Sequence, residues 1–219
     1  MNIGFYGHSN CAYRSPDSFL DLVATHYNGK VVNKGCKQGS EERILFELKK
    51  TKHIDVAVIF HCHHNALFIP NSDRDVHAID VTYNRATDLF RTTHLDTEFE
   101  KENSPKFINL FKNDDNLLNV IDTYKNYLYH QDLELNRYYG ALMQIDQYLA
   151  YKKIKAIHVI DKRCAIPLWF KFNGYVDDTI MQICEQELAK NPFFVNCVSK
   201  HGNVLIADKI IQIIESYKY

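Results

Sequence analysis

Asp55-Val56-Ala57-Val58-Ile59-Phe60, running straight into His61-Cys62-His63-His64-Asn65, is the stretch of this 219-residue chain from which the rest can be read. Its apolar residues are consecutive rather than alternating, and they are rich in β-branched types. That is the mark of a strand covered on both faces, as in a parallel sheet. The switch to four ring- and thiol-bearing side chains marks the strand's carboxyl end. Towards the N-terminus, Lys30-Val31-Val32-Asn33 forms a second strand, closed by Lys34-Gly35, and Ile3-Gly4-Phe5-Tyr6 a third, broken by Gly7. Helices fill the gaps. Ser15-Pro16-Asp17 opens one, with a capping hydroxyl, a proline whose missing N–H costs nothing and a carboxylate at the positive end of the dipole; Phe19, Leu20, Leu22 and Val23 follow. Ser40-Glu41-Glu42 opens the other by the same logic, with Ile44, Leu45 and Leu48 as its apolar stripe. Strand, helix, strand, helix, strand at this spacing means βαβ units and a parallel sheet.

Towards the C-terminus the rhythm stops. Residues 70–115 are polar and without period, and are expected to form an irregular insertion with short helices at the edge of the site. Two amphipathic stripes follow, one on Leu117, Leu118, Ile121, Tyr124 and Leu128, the other on Leu135, Tyr138, Leu142, Ile145 and Leu149. Ala156-Ile157-His158-Val159-Ile160 is a fourth long strand. A helix is expected over 177–188, a short last strand over 192–195 and a closing amphipathic helix over 203–217. The whole chain, 1–219, reads as one α/β domain. Its expected form is a three-layer α/β/α sandwich on a mostly parallel sheet of about five strands.

Charge and composition exclude several functions. Lys and Arg number 26 against 27 Asp and Glu, a formal net charge of −1. Such a balance argues against a protein built to grip nucleic acid or an anionic membrane. No apolar run reaches the roughly 18 residues of a transmembrane helix, and the start, Met1-Asn2-Ile3-Gly4-Phe5-Tyr6, is too short and breaks too early for a signal peptide, so none is expected. A cytoplasmic protein is expected, or one of a host cytoplasm or virion, since the Tyr, Phe, Asn and Lys usage fits an AT-rich and even viral genome. The six cysteines have no CxxC spacing and are expected to be reduced thiols. There is no GxGxxG, no acidic residue ending the second strand and no GxxxxGK[ST], so neither a dinucleotide fold nor a P-loop is present. His61 and His63, two apart on a strand, could chelate a divalent ion with His8 and Cys36. Yet no acidic residue lies in the run and no cysteine pair supports it, so no metal and no cofactor is expected.

In open parallel sheets ligands bind at the carboxyl ends of the strands. The residues gathered there are Gly7-His8-Ser9-Asn10, the run from Asn33 to Ser40 with Gln38 in it, His61 to Asn65, Asp161-Lys162-Arg163-Cys164, and Asn196-Cys197 to Asn203. They are reactive, polar types. Trp169-Phe170-Lys171-Phe172 offers an aromatic wall for an acyl or sugar group, or core packing.

These pieces resemble the SGNH (GDSL-type) hydrolases. Gly7-His8-Ser9 after an N-terminal strand looks like the family's GDS block. Asn33-Lys34-Gly35 looks like the second block, whose glycine N–H serves the oxyanion hole. The polar turn after Phe60 sits where the third block, GxND, belongs. Ser199-Lys200-His201-Gly202-Asn203-Val204-Leu205-Ile206-Ala207 is similar to the end of the fifth. The order spans nearly the whole chain and implies an SGNH or flavodoxin-like fold. It further implies an esterase or O-acyl deacylase on a small-molecule or carbohydrate ester. Ser9 would be the nucleophile, the N–H groups of Ser9 and Gly35 with His63 would hold the oxyanion, and His201 or one of His61, His63 and His64 would be the base. His8, Asn10, Gln38, His61, Asn65 and Cys197 would contact substrate.

The departures are informative too. His8 stands at the family's first-block acid, and His63 falls near its third-block asparagine, with Asn65 two residues late. Counting back from Gly202, Cys197 occupies the catalytic histidine's position and Phe194 that of its aspartate. A thiol cannot do the work of an imidazole with two nitrogens and a pKa near neutrality. The alternative is therefore a catalytically degenerate SGNH-like binding or structural module, for example of a viral particle.

Overall fold

The computed structural model describes residues 1–7, 17–35, 39–62, 66–68, 76–77, 81–84, 89–92, 123, 127–128, 130–161, 164–190 and 198–217. In chain order the elements are β1 (Asn2–Gly7), α1 (Phe19–His26), β2 (Lys30–Gly35), α2 (Glu41–Lys50), β3 (Val56–Phe60), β4 (Ala66–Leu67), β5 (Val76–His77), β6 (Val81–Asn84) and β7 (Leu89–Thr92). Then come α3 (Gln131–Lys152), β8 (Lys155–Val159), β9 (Tyr175–Asp177), α4 (Thr179–Lys190) and α5 (Lys200–Ser216).

Five strands form one sheet in the order β2-β1-β3-β8-β9, and every neighbouring pair is parallel. Parallel strands joined through helices cross over right-handedly, so the direction of travel along the sheet decides which face each helix covers. The chain steps one way from β1 to β2 and the opposite way from β2 to β3, so α1 and α2 fall on opposite faces. On one face Ile3, Phe5, Val56, Val58, Phe60, Ile157 and Val159 pack under α1, α4 and α5 through Phe19, Leu20, Val23, Ile180, Ile206 and Ile210. On the other, Tyr6, Ala57, Ile59 and Ala156 pack under α2 and α3 through Ile44, Leu48, Ile145 and Leu149. The period of two along each strand makes this split, and the result is the expected three-layer α/β/α sandwich.

The local signals were read correctly in some places and displaced in others. Ser40 caps α2 as expected, its hydroxyl accepting the Arg43 N–H at 3.2 Å. For α1 the cap is Ser18, which accepts the Asp21 N–H, while Asp17 sits in the left-handed region at φ 65°. The helix over 177–188 begins later, because Asp177 ends β9 and caps α4, accepting the Ile180 N–H at 2.8 Å. The closing helix begins earlier, at Lys200, with Ser199 as its cap. The last strand and first amphipathic stripe expected at 192–195 and 117–128 lie almost wholly outside the described residues. Within 70–115 the described residues are strands rather than short helices: β6 and β7 pair antiparallel, as the β-branched and aromatic content of Val81-Thr82-Tyr83 and Leu89-Phe90 favours.

Candidate active site

The sheet register brings the strand ends level. Gly7 pairs with Gly35 on one side and with Phe60 on the other, and Phe60 pairs with Val159. The winding reverses at β1, so the crevice of a sheet of this order opens between the ends of β1 and β3. Gly7 is required there. Its φ is +127°, and a Cβ would fall 2.0 Å from the Phe60 carbonyl oxygen. Only a residue without a side chain lets β1 leave the sheet so close against β3.

The β2 side ends in Gly35, whose N–H donates to Asn33 Oδ1 at 2.9 Å. The donor assigned to the oxyanion is thus held by its own strand's asparagine in this conformation. His8, Ser9, Asn10, Gln38, His63, Asn65 and Cys197 lie outside the described residues, as do His64 and Phe194.

His61 lies beneath the crevice. It continues the parity of Ala57 and Ile59, so its ring turns into the core under α2 and α3, and its side chain is 0% exposed. Glu41, the first residue of α2, meets it there, also with a side chain 0% exposed. The carboxylate accepts the Cys62 N–H at 2.7 Å, and His61 Nδ1 lies 3.1 and 3.2 Å from its two oxygens. With Glu41 already accepting from the backbone, His61 Nδ1–H is the donor. On its far side, His61 Nε2 is 2.9 Å from Nδ1 of His158, in the middle of β8. His158 Nε2 has no hydrogen-bond partner and lies 3.6 Å from Asp146 Oδ1 of α3. Asp146 accepts the Asn173 N–H at 2.9 Å and its side-chain amide at 2.5 Å. Phe172 covers both imidazoles, 4.2 Å from the His158 ring centre and 5.2 Å from that of His61. Burial, and then the neighbouring His61, hold His158 well below the ordinary histidine pKa.

The turn that leaves β3 is pinned from the other side by Cys164. Its Sγ lies 3.4 Å from the Cys62 carbonyl oxygen and 3.6 Å from that of His61. Burial and then the Glu41 charge push this thiol up to about 12, so it acts as an S–H donor and not as a thiolate nucleophile. Of the aromatic run, Phe172 serves the core; Trp169 is exposed and stands edge-on to Tyr139 at 6.3 Å.

The residues likened to the family's fifth block, from Ser199 on, sit at the start of α5. His201 is exposed in its first turn. Asn203 Oδ1 accepts the Phe19 N–H at 2.8 Å, and Lys200 Nζ lies 3.3 Å from Asp17. The turn carrying His201 is therefore fastened to Asp17 and to the first residue of α1. Gly202 packs where a Cβ would meet Val198 and Glu187 at 2.4 and 2.6 Å.

Sequence reasoning pointed to His61 as a substrate contact or a base; the structure brings it instead to Glu41 and His158. Glu41 has no site role in the sequence reading because it counts there only as part of the start of α2, and Asp146 has none because it follows Ile145 on a helix read for its apolar stripe. His158 carried a signal, as a titratable ring within an apolar strand at the same parity as Ala156. Among the described residues, no group of three or more His, Cys, Asp or Glu could hold a metal ion, and no helix is long and apolar enough to cross a membrane.

No family model matches the sequence, and no curated protein matches it. Two solved structures are similar over nearly the full length of both chains. One is of a protein assigned to the lipolytic G-D-S-L family from Desulfitobacterium hafniense DCB-2, at 12% identity over 97% of this chain and 98% of that one, with a TM-score of 0.36. The other is a member of the lipolytic protein G-D-S-L family from Veillonella parvula DSM 2008, at 14% identity over 97% of each, with a TM-score of 0.34.

Proposed function

We propose that this protein hydrolyses an ester, or removes an O-acyl group from a small molecule or carbohydrate, at the crevice between the ends of β1 and β3. One observation carries the reading: the register that sets Gly7 level with Gly35 and with Phe60. It supports the reading because β1, β2 and β3, which Ser9, Gln38 and His63 follow in sequence, end level at the switch point, where ligands bind in folds of this order. Ser9 attacks the carbonyl carbon while a base takes its proton. The N–H groups of Ser9 and Gly35, with His63, receive the oxyanion, and Gly35 must release Asn33 to do so. His201 is the base: Asn203 and Lys200 fasten its turn to the residues that follow the Ser9 loop. His8, Asn10, Asn65 and Cys197 line the ester.

Collapse of the tetrahedral intermediate expels the alcohol, which takes the proton from His201, and water then releases the acid by the same steps. The test is turnover of p-nitrophenyl acetate by the intact chain. It is expected to be measurable and to disappear in Ser9→Ala; turnover unchanged in that variant removes Ser9 from the mechanism.

A second reading is favoured by the engaged Gly35 N–H and by Cys197 and Phe194 at the family's histidine and aspartate positions. In it the crevice binds an ester or sugar without cleaving it, as part of a larger and even viral assembly. It expects binding of acylated sugars with no turnover.

A further inference from the structure

Glu41, His61, His158 and Asp146 form a line of four titratable side chains joined by three successive contacts, of 3.1, 2.9 and 3.6 Å. Each contact becomes attractive only when one proton lies within it, because a carboxylate and a bare ring nitrogen are both acceptors. Two neutral imidazoles carry two ring protons for three contacts. The observed spacing shows how they are shared. Glu41 to His61 and His61 to His158 are at hydrogen-bond length, while His158 to Asp146 is stretched beyond it. The two protons therefore sit on Nδ1 of His61 and Nδ1 of His158, and a bare, buried Nε2 is turned towards a carboxylate.

We propose that these four residues are one proton-operated positioning unit beneath the crevice, in which His158 Nε2 takes up a third proton in acid with Asp146 as its counter-ion. The inference uses the proposed active site only for its consequence. Cys62, where the segment bearing His63 begins, hangs by its N–H from the same Glu41 carboxylate. A third proton places one positive charge on the pair of rings, and the Glu41 contact then becomes charge-assisted and tighter. Phe172, whose ring lies tilted against that of His158 at 4.2 Å, adds a cation–π attraction in that state.

Opposing uptake are the burial of the rings and the proximity of the second imidazole. The groups facing His158 from the packed elements are His61 just past the end of β3, Asp146 from α3 and, through His61, Glu41 from α2. Tyr138 of α3 and Cys164 complete the surround at Glu41, and burial with that carboxylate's charge raises both, so they stay protonated over the whole range.

The test is nitrogen NMR of the intact chain carrying ¹⁵N-labelled histidine, followed from about pH 8 to about pH 4.5. At the alkaline end both buried rings are expected as Nδ1–H tautomers, with His158 Nε2 bare. On acidification both rings should respond together at one shared midpoint. Asp146→Asn keeps the shape and removes the counter-ion, and should lower that midpoint by about one pH unit, a tenfold weaker proton uptake.

An Nε2–H tautomer of His158 at the alkaline end, or two rings titrating independently, overturns the proposal. So does a midpoint that Asp146→Asn leaves in place. Should that variant not fold, the tautomers and the shared midpoint of the native chain decide alone. None of these readouts uses turnover. A failed esterase test with the expected tautomers removes the proposed function and leaves this unit standing.

Discussion

At Gly7 a single hydrogen atom in place of a methyl group decides whether β1 can end where it does. A Cβ there would lie 2.0 Å from a backbone oxygen of β3, and the φ of +127° is unfavourable for any L side chain. Neither strain has a flexible side chain to absorb it. Gly7→Ala is therefore expected to cost about 3 kcal/mol of folding stability, read as a shifted midpoint in urea unfolding. His158 makes the second prediction at this scale, with a sign that follows from linkage. Its folded pKa is depressed, so between that value and the unfolded value of about 6.5 the unfolded chain binds a proton that the native chain does not. Its contribution is complete above about pH 6.5 and is lost as pH falls through the depressed folded value. The slope from this one group is at most about 1.4 kcal/mol per pH unit. Unfolding measured from neutral to acid pH should show that loss, and His158→Gln should remove the part due to this ring. A profile identical in the two proteins would count against the burial effect. The sequence carried part of this: parity placed His158 with Ala156, on a covered face. That a second histidine and two carboxylates converge on it could not be read, because the contacts join residues 20, 97 and 12 positions apart in sequence.

Among the elements, α1 and α5 are bound through their first turns, and Asn203 is the fastening. Its Oδ1 accepts the Phe19 N–H, and its amide donates to the Val198 and Ser199 carbonyls at 3.0 and 3.1 Å. Asn203→Ala leaves a buried helix N–H without an acceptor, and a loss of about 2 kcal/mol is expected. Since this contact also ties the His201 turn to the helix that follows Ser9 in sequence, turnover at the proposed site should fall by more than the folded fraction does. A drop matched by the unfolded fraction would confine Asn203 to a structural role. The same pair of helices shows how far local signals reach. Ser15-Pro16-Asp17 and Ser18 with Asp21 are both good starts for a helix, and the choice between them follows from Asn203, 184 positions away from Phe19. Ser40 had no such competitor and was legible. β9 escaped because it is three residues long and its last residue, Asp177, is also a cap. Long apolar strands and single caps survive without tertiary context; short edge strands and rival caps do not.

Taken as a whole, the molecule gains its crevice from a reversal of winding. The chain goes from β1 outward to β2, then crosses back to β3, so β1 and β3 end side by side at the point where the winding reverses. The residues proposed for the site follow strands whose crossovers cover both faces of the sheet. A prediction at this scale should depend on the assembled fold and on no particular ester, since acyl group and alcohol are set by loops rather than by the sheet. A fluorophosphonate meets that condition. An activated serine oxygen attacks phosphorus, fluoride leaves with the bonding pair, the serine proton passes to the base, and the phosphonyl oxygen occupies the place of the oxyanion. Mass spectrometry of the native chain is expected to find one adduct, on the peptide that contains Ser9. Unfolding in urea beforehand should abolish it, because an unassisted serine hydroxyl is a poor nucleophile, and Ser9→Ala should abolish it in the native state. Labelling elsewhere would move the nucleophile; no labelling of a folded chain that still binds acylated sugar would leave the binding module as the function of this crevice.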